Sequence, residues 1–241
     1  MKNMTQSELQ RTTSEKAPEI YDPSGFRADK VREIFQKLPA GTKILDVGCA
    51  TGAIMRPLVK QHDIHGVDIC EPYVQQAVKA GVKAVLHDID AGPLPYPDKS
   101  FDAVFCGETI EHYVDTDWLM SEINRVLKPG GLLVITFPNV RTALGIAMLL
   151  LLDVPPMYGA RYRASHVRDF TLRTIKMAFI NNGFSVDNCM GTSFYLPRVG
   201  EFWSGVAKHF PSWANTPLVV GRKLKDSPYN PDTAVAELDF A

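Results

Sequence analysis

One short segment, ILDVGCATGAI at residues 44–54, constrains the fold of this chain more than any other part of the sequence. An apolar run typical of a buried strand leads through Asp46 to Gly48 and Gly52, after which the pattern becomes helical. A strand that turns through glycines into a helix brings backbone N–H groups close to a ligand, because glycine has no Cβ to block the approach. The segment therefore predicts an α/β fold with a ligand site at this turn.

The chain then alternates short apolar runs with helical stretches. Strands are predicted at residues 43–47, 64–68, 84–87, 101–106, 132–137, 184–189 and 218–221, and helices at 26–38, 53–61, 72–80, 116–127 and 171–182. Such alternation is typical of an open, doubly wound sheet that is mostly parallel and has helices on both faces. Ligands of such sheets bind at the carboxyl ends of the strands.

The glycine spacing discriminates between classes of ligand. A dinucleotide site requires G-x-G-x-x-G, whereas this turn reads Gly48-Cys-Ala-Thr-Gly52 and follows an acid. Asp46 would repel a pyrophosphate and favour a cation, such as a ligand with an ammonium and a sulfonium group. Asp68 ends the next strand, where an acid can accept hydrogen bonds from both hydroxyls of a ribose. The alternative for Asp68 is a cap of the following helix.

Composition excludes several classes of protein. The chain has 241 residues, of which 45% are hydrophobic and 22% are charged, as expected for a soluble globular domain. The net charge of -1 offers no basic excess, so no nucleic-acid partner is expected. The four cysteines form no C-x-x-C pair, and we expect a reducing, cytoplasmic location. The apolar run at 143–152 is too short to cross a bilayer, so no transmembrane segment is expected.

The sequence suggests one domain between two polar ends. Residues 1–20 are polar, lack the apolar run of a secretory signal, and are expected to be disordered. Residues 225–241 are acidic and contain prolines, and are expected to form a flexible tail. The domain is placed at 21–224, with an insert at about 140–170.

Four segments in order resemble the class I S-adenosylmethionine (SAM)-dependent methyltransferases. They are the glycine turn, HGVDICEPYV (65–74), HDIDAGPLPYPDKSFDAVFCGETIEHYVD (87–115) and SEINRVLKPGGLLVITFPN (121–139). The resemblance runs from about residue 21 to 223. It implies a Rossmann-like sheet of seven strands, mostly parallel with one antiparallel strand, and SAM as the cofactor, with S-adenosylhomocysteine (SAH) as its product. Residues 216–224 fit the antiparallel strand.

The resemblance also implies a role for each residue of the turn. Asp46, Gly48, Cys49, Ala50 and Gly52 would surround the methionyl end of SAM. Family members commonly have Gly where this chain has Ala50. Because Ala restricts φ, we expect Ala50 to lie at a negative φ and to alter the fit without abolishing binding.

The nucleoside of SAM has matching positions on the next two strands. By the resemblance, Asp68 would bind the ribose and Ile69 would lie against the adenine. Asp88 would accept a hydrogen bond from the adenine amino group, beside the amide of Ile89.

By the resemblance, Cys106 and Glu108 would form the floor of the site near the sulfonium. Two histidines in the sequence are candidates for catalysis. An alcohol acceptor must lose a proton, and histidine is the usual base. His112 ends the motif E-T-I-E-H, where it is either the base or a structural or substrate-orienting residue. His166 lies in S-H-V-R-D-F, which resembles a pattern that faces the acceptor; Arg168 would bind the acceptor or pair with an acid. The sequence shows no acidic cluster with the spacing of metal ligands, so no metal is expected.

The sequence thus predicts methyl transfer from SAM to a small-molecule or glycan acceptor, at a hydroxyl oxygen. The insert at 140–170 would contribute to the acceptor site, and its apolar run has three interpretations. It is a lid packed on the body, a tunnel for an apolar acceptor such as a lipid-linked glycan, or a face that meets a membrane or the second subunit of a homodimer. The alternative function is a SAM-binding partner subunit or sensor without turnover.

Overall fold

The computed structural model describes residues 5, 7–8, 11–12, 25–154, 166–196 and 200–231. Its strands are β1 (Lys43–Val47), β2 (Asp63–Asp68), β3 (Lys83–Leu86), β4 (Phe101–Gly107), β5 (Leu127–Thr136), β6 (Asn188–Gly191), β7 (Phe194–Leu196), β8 (Gly200–Phe202) and β9 (Pro217–Arg222). Its helices are α1 (Phe26–Gln36), α2 (Glu71–Lys79), α3 (Thr116–Val126), α4 (Ala143–Leu152), α5 (Leu172–Asn181) and α6 (Ser204–Ala207), and short 3₁₀ turns lie at Arg56–Leu58 and Ile110–His112.

Seven strands form one sheet in the order β3-β2-β1-β4-β5-β9-β6. Strands β1 to β5 are parallel, and β9 lies antiparallel between β5 and β6. This confirms the predicted sheet of seven strands with one antiparallel strand. The strand order reverses between β1 and β4, and a crevice at such a point, at the carboxyl ends of the strands, is where doubly wound sheets bind ligands.

Each face of the sheet packs on its own hydrophobic cluster. Successive strand residues point to opposite faces, so Val104 and Cys106 of β4 join one cluster while Phe105 joins the other. Phe179 of α5 lies in the first cluster. Phe35 of α1 packs edge-on against Phe105 in the second, with ring centroids 6.1 Å apart. Helices therefore cover both faces, and only the strand ends remain open for a ligand.

The predicted helix at 53–61 is wrong, because only a three-residue 3₁₀ turn forms there. Pro57 has no N–H and cannot bond the carbonyl of Ala53. Arg32 of α1 donates its guanidinium hydrogen bonds to the carbonyls of Ala53 and Ile54 at 3.0 Å each. In a helix, the Ile54 carbonyl would accept from the Leu58 amide, while the Ala53 carbonyl would lack a donor because of Pro57. The contact with Arg32 satisfies both carbonyls instead.

Two features near the end of the chain differ from the sequence prediction. The strand expected at 184–189 forms at Asn188–Gly191 instead, although the amides of Ser185 and Asp187 also donate to carbonyls of β9. The hairpin of β7 and β8 was not expected. The apolar run at 143–152 forms α4. None of the helices in the described ranges combines the length and apolar character that crossing a bilayer requires.

The described part of the predicted tail is docked on the body. Asp226 forms ion pairs with Lys99 at 2.9 Å and with Lys223 at 2.7 Å. The ring of Tyr229 packs edge-on against Trp118 with centroids 5.4 Å apart. Residues 232–241, most of 1–20 and part of the insert, 155–165, lie outside the described residues, so their predicted behaviour stays a prediction.

Candidate active site

The glycine turn is fastened to the end of β2. The amides of Gly48 and Cys49 donate to the carbonyl of Val67 at 2.9 and 3.0 Å. The carboxylate of Asp68 accepts from the amides of Ala50 and Cys70, both at 2.8 Å. Asp68 therefore fixes the turn and its own orientation at once, and each of its oxygens keeps a lone pair for a ligand hydroxyl.

The glycines of the turn serve internal packing. A Cβ at Gly48 would collide with the side chain of Thr109, and a Cβ at Gly52 would lie 2.9 Å from Val82. Both glycines also have positive φ, 74° and 71°. The loop after β4 consequently packs directly on the turn.

The expectation that Ala50 has a negative φ is wrong. Its φ is 44°, in the left-handed region that alanine rarely adopts. This conformation turns the Ala50 amide toward Asp68, and their hydrogen bond holds the strained residue in place. Strain of this kind concentrates at functional sites.

Asp46 and Asp68 form a buried acidic pair beside the turn. Burial, together with the charge of Asp68, raises the pKa of Asp46 to about 8. Burial also raises the pKa of Asp68, although the amides of Cys70 and Ala50 oppose this. A cation placed here would stabilise both carboxylates, whereas a second anion would be repelled. The pair thus fits the ammonium and sulfonium charges of SAM.

The predicted adenine side borders an open cavity of about 700 Å³. Ile69, His87 and Asp88 line it. Ile89 is buried in the core, and its carbonyl accepts the indole N–H of Trp118 at 2.9 Å, so only its amide remains for a ligand. Of the four residues that the resemblance assigns to the nucleoside, Ile69 and Asp88 line this cavity, and the assignment stays a prediction.

The loop after β4 joins the turn to the catalytic candidates. Cys106 is fully buried, and burial followed by the charges of Glu111 and Asp46 raises its pKa well above the usual value. Its thiol therefore lies between these two acids and contributes no thiolate. Glu108 has a φ of 51° and forms an ion pair with Arg27 of α1 at 3.3 Å. Burial raises the pKa of Glu108, and Arg27 opposes the rise.

His112 and His166 come together around Glu111, although far apart in sequence. Their rings lie 4.7 Å apart and nearly perpendicular, and each Nε2 is 3.9 Å from Oε1 of Glu111. Glu111 is 1% exposed, and burial followed by the charge of Glu108 raises its pKa well above the usual value. Burial and the neighbouring His112 lower the pKa of His166 to about 4, which keeps its imidazole neutral.

Backbone hydrogen bonds bring His166 to this position. The amides of Val167 and Arg168 donate to the carbonyl of Glu111 at 2.9 and 3.2 Å. The guanidinium of Arg168 donates to the carbonyl of Val114, with Nε at 3.0 Å. Arg168 thus fastens the segment to the loop after β4, a role that the sequence reasoning did not consider.

Sequence reasoning missed two residues of the site, Arg27 and Glu111. Arg27 lies on α1, outside every motif, and no signal pointed to it. Glu111 belongs to the motif E-T-I-E-H, but the sequence does not reveal that its side chain is buried.

Comparison with known proteins gives a consistent result. A protein-family model described as a methyltransferase domain matches residues 45–135. The 27-O-demethylrifamycin SV methyltransferase of Amycolatopsis mediterranei is 35% identical over 140 residues, which are 55% of this chain and 47% of that protein. The ubiquinone biosynthesis O-methyltransferase of Sinorhizobium medicae is 29% identical over 159 residues, 56% of this chain and 64% of that protein. The chain therefore contains a methyltransferase domain at residues 45–135 and has the fold of the SAM-dependent methyltransferases.

A solved structure supports this fold over most of the chain's length. Phosphoethanolamine N-methyltransferase 2 of Haemonchus contortus, in complex with phosphomonomethylethanolamine and SAH, has a TM-score of 0.65 at 18% identity. The likeness covers 92% of this chain and 61% of that one. The cofactor of the superfamily is SAM, as the sequence predicted. The chain matches only part of each of these curated relatives, 47% of the length of the first and 64% of the second.

Proposed function

We propose that the chain transfers a methyl group from SAM to a hydroxyl oxygen of a small molecule that carries an apolar part. The observation that carries the proposal is the loop after β4. On one side it packs on the turn that holds Asp46, and on the other it presents His112 beside buried Glu111. Cofactor site and proton-accepting group are thus neighbours at the open edge of the sheet.

SAM carries the methyl group on a sulfonium. When the methyl group is transferred, the sulfur becomes the neutral thioether of SAH, which is the leaving group. In the chain, Asp68 accepts hydrogen bonds from the ribose hydroxyls, and Asp46 faces the cationic end of the cofactor. Ile69 and Asp88 border the adenine. Glu108 forms the acidic floor under the reacting carbon. These assignments are supported by the positions of Asp46, Asp68 and Glu108 at the carboxyl ends of neighbouring strands.

His112 takes the proton of the acceptor hydroxyl. Its side chain is about a quarter exposed, so an acceptor can reach it. The Oε1 atom of Glu111 lies 3.9 Å from the Nε2 atom of His112, beside the group that takes the proton. The two O-methyltransferase relatives support an oxygen acceptor, and the residues that would hold the acceptor lie mainly outside the matched region.

Exposed apolar side chains suggest the acceptor's character. Leu150 and Leu151 of α4 are 76% and 79% exposed, and Trp203 is 68% exposed. The segment before α4 contacts the segment after β8, because the Arg141 guanidinium lies 5.0 Å from the ring of Trp213. We propose that these surfaces contact the apolar part of the acceptor. A glycan, lipid-linked or free, and a homodimer remain predictions.

The cofactor assignment is tested by SAH binding. Asp68→Ala should weaken the SAH dissociation constant, measured by titration calorimetry, at least about tenfold, because ribose hydrogen bonds to a carboxylate are lost. Asp187→Ala is the matched control, since it removes an exposed aspartate that only pairs with Arg222. An unchanged constant in the Asp68 variant would remove the ribose assignment.

The reaction is tested with SAM that carries a heavy-isotope methyl group. The purified protein is incubated with an extract of its source, and the water-soluble, lipid and macromolecular fractions are searched for the label by mass spectrometry. Label on an oxygen of a small molecule supports the proposal. Transfer should fall about 10²–10⁴-fold in His112→Ala while SAH affinity stays near wild type. No label with intact SAH binding would favour a SAM-binding partner subunit.

A further inference from the structure

The cluster of Glu111, His112 and His166 contains a buried carboxylate that the described structure does not satisfy. Both carboxylate oxygens of Glu111 lack a hydrogen-bond partner among the described residues, although the residue is 1% exposed. Buried carboxylates are normally hydrogen-bonded, paired with a charge or bound to a metal. The two histidine Nε2 atoms lie 3.9 Å from Oε1 of Glu111, beyond hydrogen-bond distance.

The three side chains have the arrangement of an open metal site. One ligand atom from each lies within 4.8 Å of the other two. Around an ion with bonds of about 2.1 Å these separations shrink to roughly 3–3.5 Å. Small rotations of the side chains supply the difference. The histidine side chains are 24% and 18% exposed, so an ion can enter and keep coordination positions for water or another ligand.

The ligand set selects the kind of ion. Two imidazoles and one carboxylate suit first-row transition metals and Zn²⁺, whereas Mg²⁺ and Ca²⁺ prefer oxygen ligands alone. We propose that Glu111, His112 and His166 bind one divalent ion of the Zn²⁺, Co²⁺ or Mn²⁺ type. No metal was expected from the sequence, since the third ligand, His166, lies in the insert and far along the chain from Glu111 and His112.

The role of the ion rests on the proposed function. With an ion bound, His112 would serve as its ligand, and an acceptor hydroxyl at an open position of the ion would lose its proton to water. The direct transfer to His112 proposed above would then apply to the chain without the ion. The oxygen then forms a bond to the methyl carbon. The carbon–sulfur bond breaks with its electron pair on sulfur, which gives the methyl ether and neutral SAH.

Metal binding is tested directly on the full chain, without an affinity tag and after chelation. Co²⁺ is titrated and followed by its visible absorption, and Zn²⁺ by titration calorimetry. We expect one ion per chain. His166→Ala should weaken the dissociation constant at least about 100-fold, because it removes a direct ligand, whereas loss of a mere supporting residue costs about 10–100-fold. His209→Ala, which removes an exposed histidine elsewhere, should bind as wild type.

Three controls keep the result decisive. Circular dichroism verifies that each variant is folded, and Glu111→Gln replaces His166→Ala if the latter is not. SAH affinity is measured on the same samples, so a failed cofactor site is recognised separately from a failed metal site. Absence of a stoichiometric Co²⁺ spectrum, or equal affinity in wild type and both ligand variants, would overturn the proposal.

Discussion

Replacement of Ala50 by glycine should make the protein more stable. Ala50 lies at a φ of 44°, where its Cβ approaches its own carbonyl oxygen, at a cost of about 1–2 kcal/mol that glycine does not incur. The backbone amide that donates to Asp68 is unchanged by the substitution, so the hydrogen bond of 2.8 Å should persist. The perturbation thus removes strain and leaves the contacts of the turn intact.

The expected gain is the difference of two effects. Relief of strain contributes about 1–2 kcal/mol. Glycine also gives the unfolded chain more freedom, which costs about 0.4–1 kcal/mol. The net stabilisation is about 0.5–1 kcal/mol. For a chain of this size, that raises the melting temperature by roughly 1–4 °C. Urea denaturation gives the free energy of unfolding, and thermal denaturation gives the midpoint.

A matched substitution, Ala80→Gly, separates the effect of backbone strain on stability from the effect of chain entropy. Ala80 has a φ of -82°, which alanine adopts freely, so Ala80→Gly should destabilise by about 0.5–1 kcal/mol. Opposite signs for the two variants are the expected result. If Ala50→Gly were as destabilising as Ala80→Gly, the left-handed conformation would not be strained, and the argument from φ would fail.

Two further predictions concern the same edge of the sheet. Since the pKa of Asp46 is raised to about 8 by burial and by Asp68, the folded state retains a proton that the unfolded state loses near pH 4, so stability should fall as pH rises from about 4 to 8. Asp46→Asn should flatten this fall, and equal slopes in urea denaturation from pH 5 to 8 would contradict the assignment. Gly48→Ala should cost about 1–3 kcal/mol more than Gly41→Ala, because both have positive φ but only the Cβ at 48 meets Thr109. Equal losses would show that the loop moves aside freely.

Most of the sheet could be predicted from sequence because its signals are local. Apolar runs mark the buried parallel strands, and the positive φ values of Gly48 and Gly52 require glycine. The helix expected at 53–61 failed for a reason that is not local. Arg32, which lies on α1, donates hydrogen bonds to the carbonyls of Ala53 and Ile54.

The two halves of the site differ in the same way. The cofactor half follows from strand ends, whose positions topology determines, so Asp46, Asp68 and Asp88 could be placed before the structure was known. The grouping of His112 with His166 depends on backbone bonds to the carbonyl of Glu111, which no spacing along the chain reveals. The φ of Ala50 likewise depends on its bond to Asp68.

The family match and the site divide the chain at nearly the same place. The matched region, 45–135, contains the turn, the loop after β4 and Glu111 with His112. His166 and the apolar helix α4 lie after it, and a bridge between Asn139 and Phe170 brings their segments together. The proposed cofactor residues thus lie in the matched part, while the third member of the proposed cluster and the proposed acceptor surfaces lie after it. Substitutions after residue 135 should therefore change acceptor choice and metal affinity more strongly than they change SAH affinity.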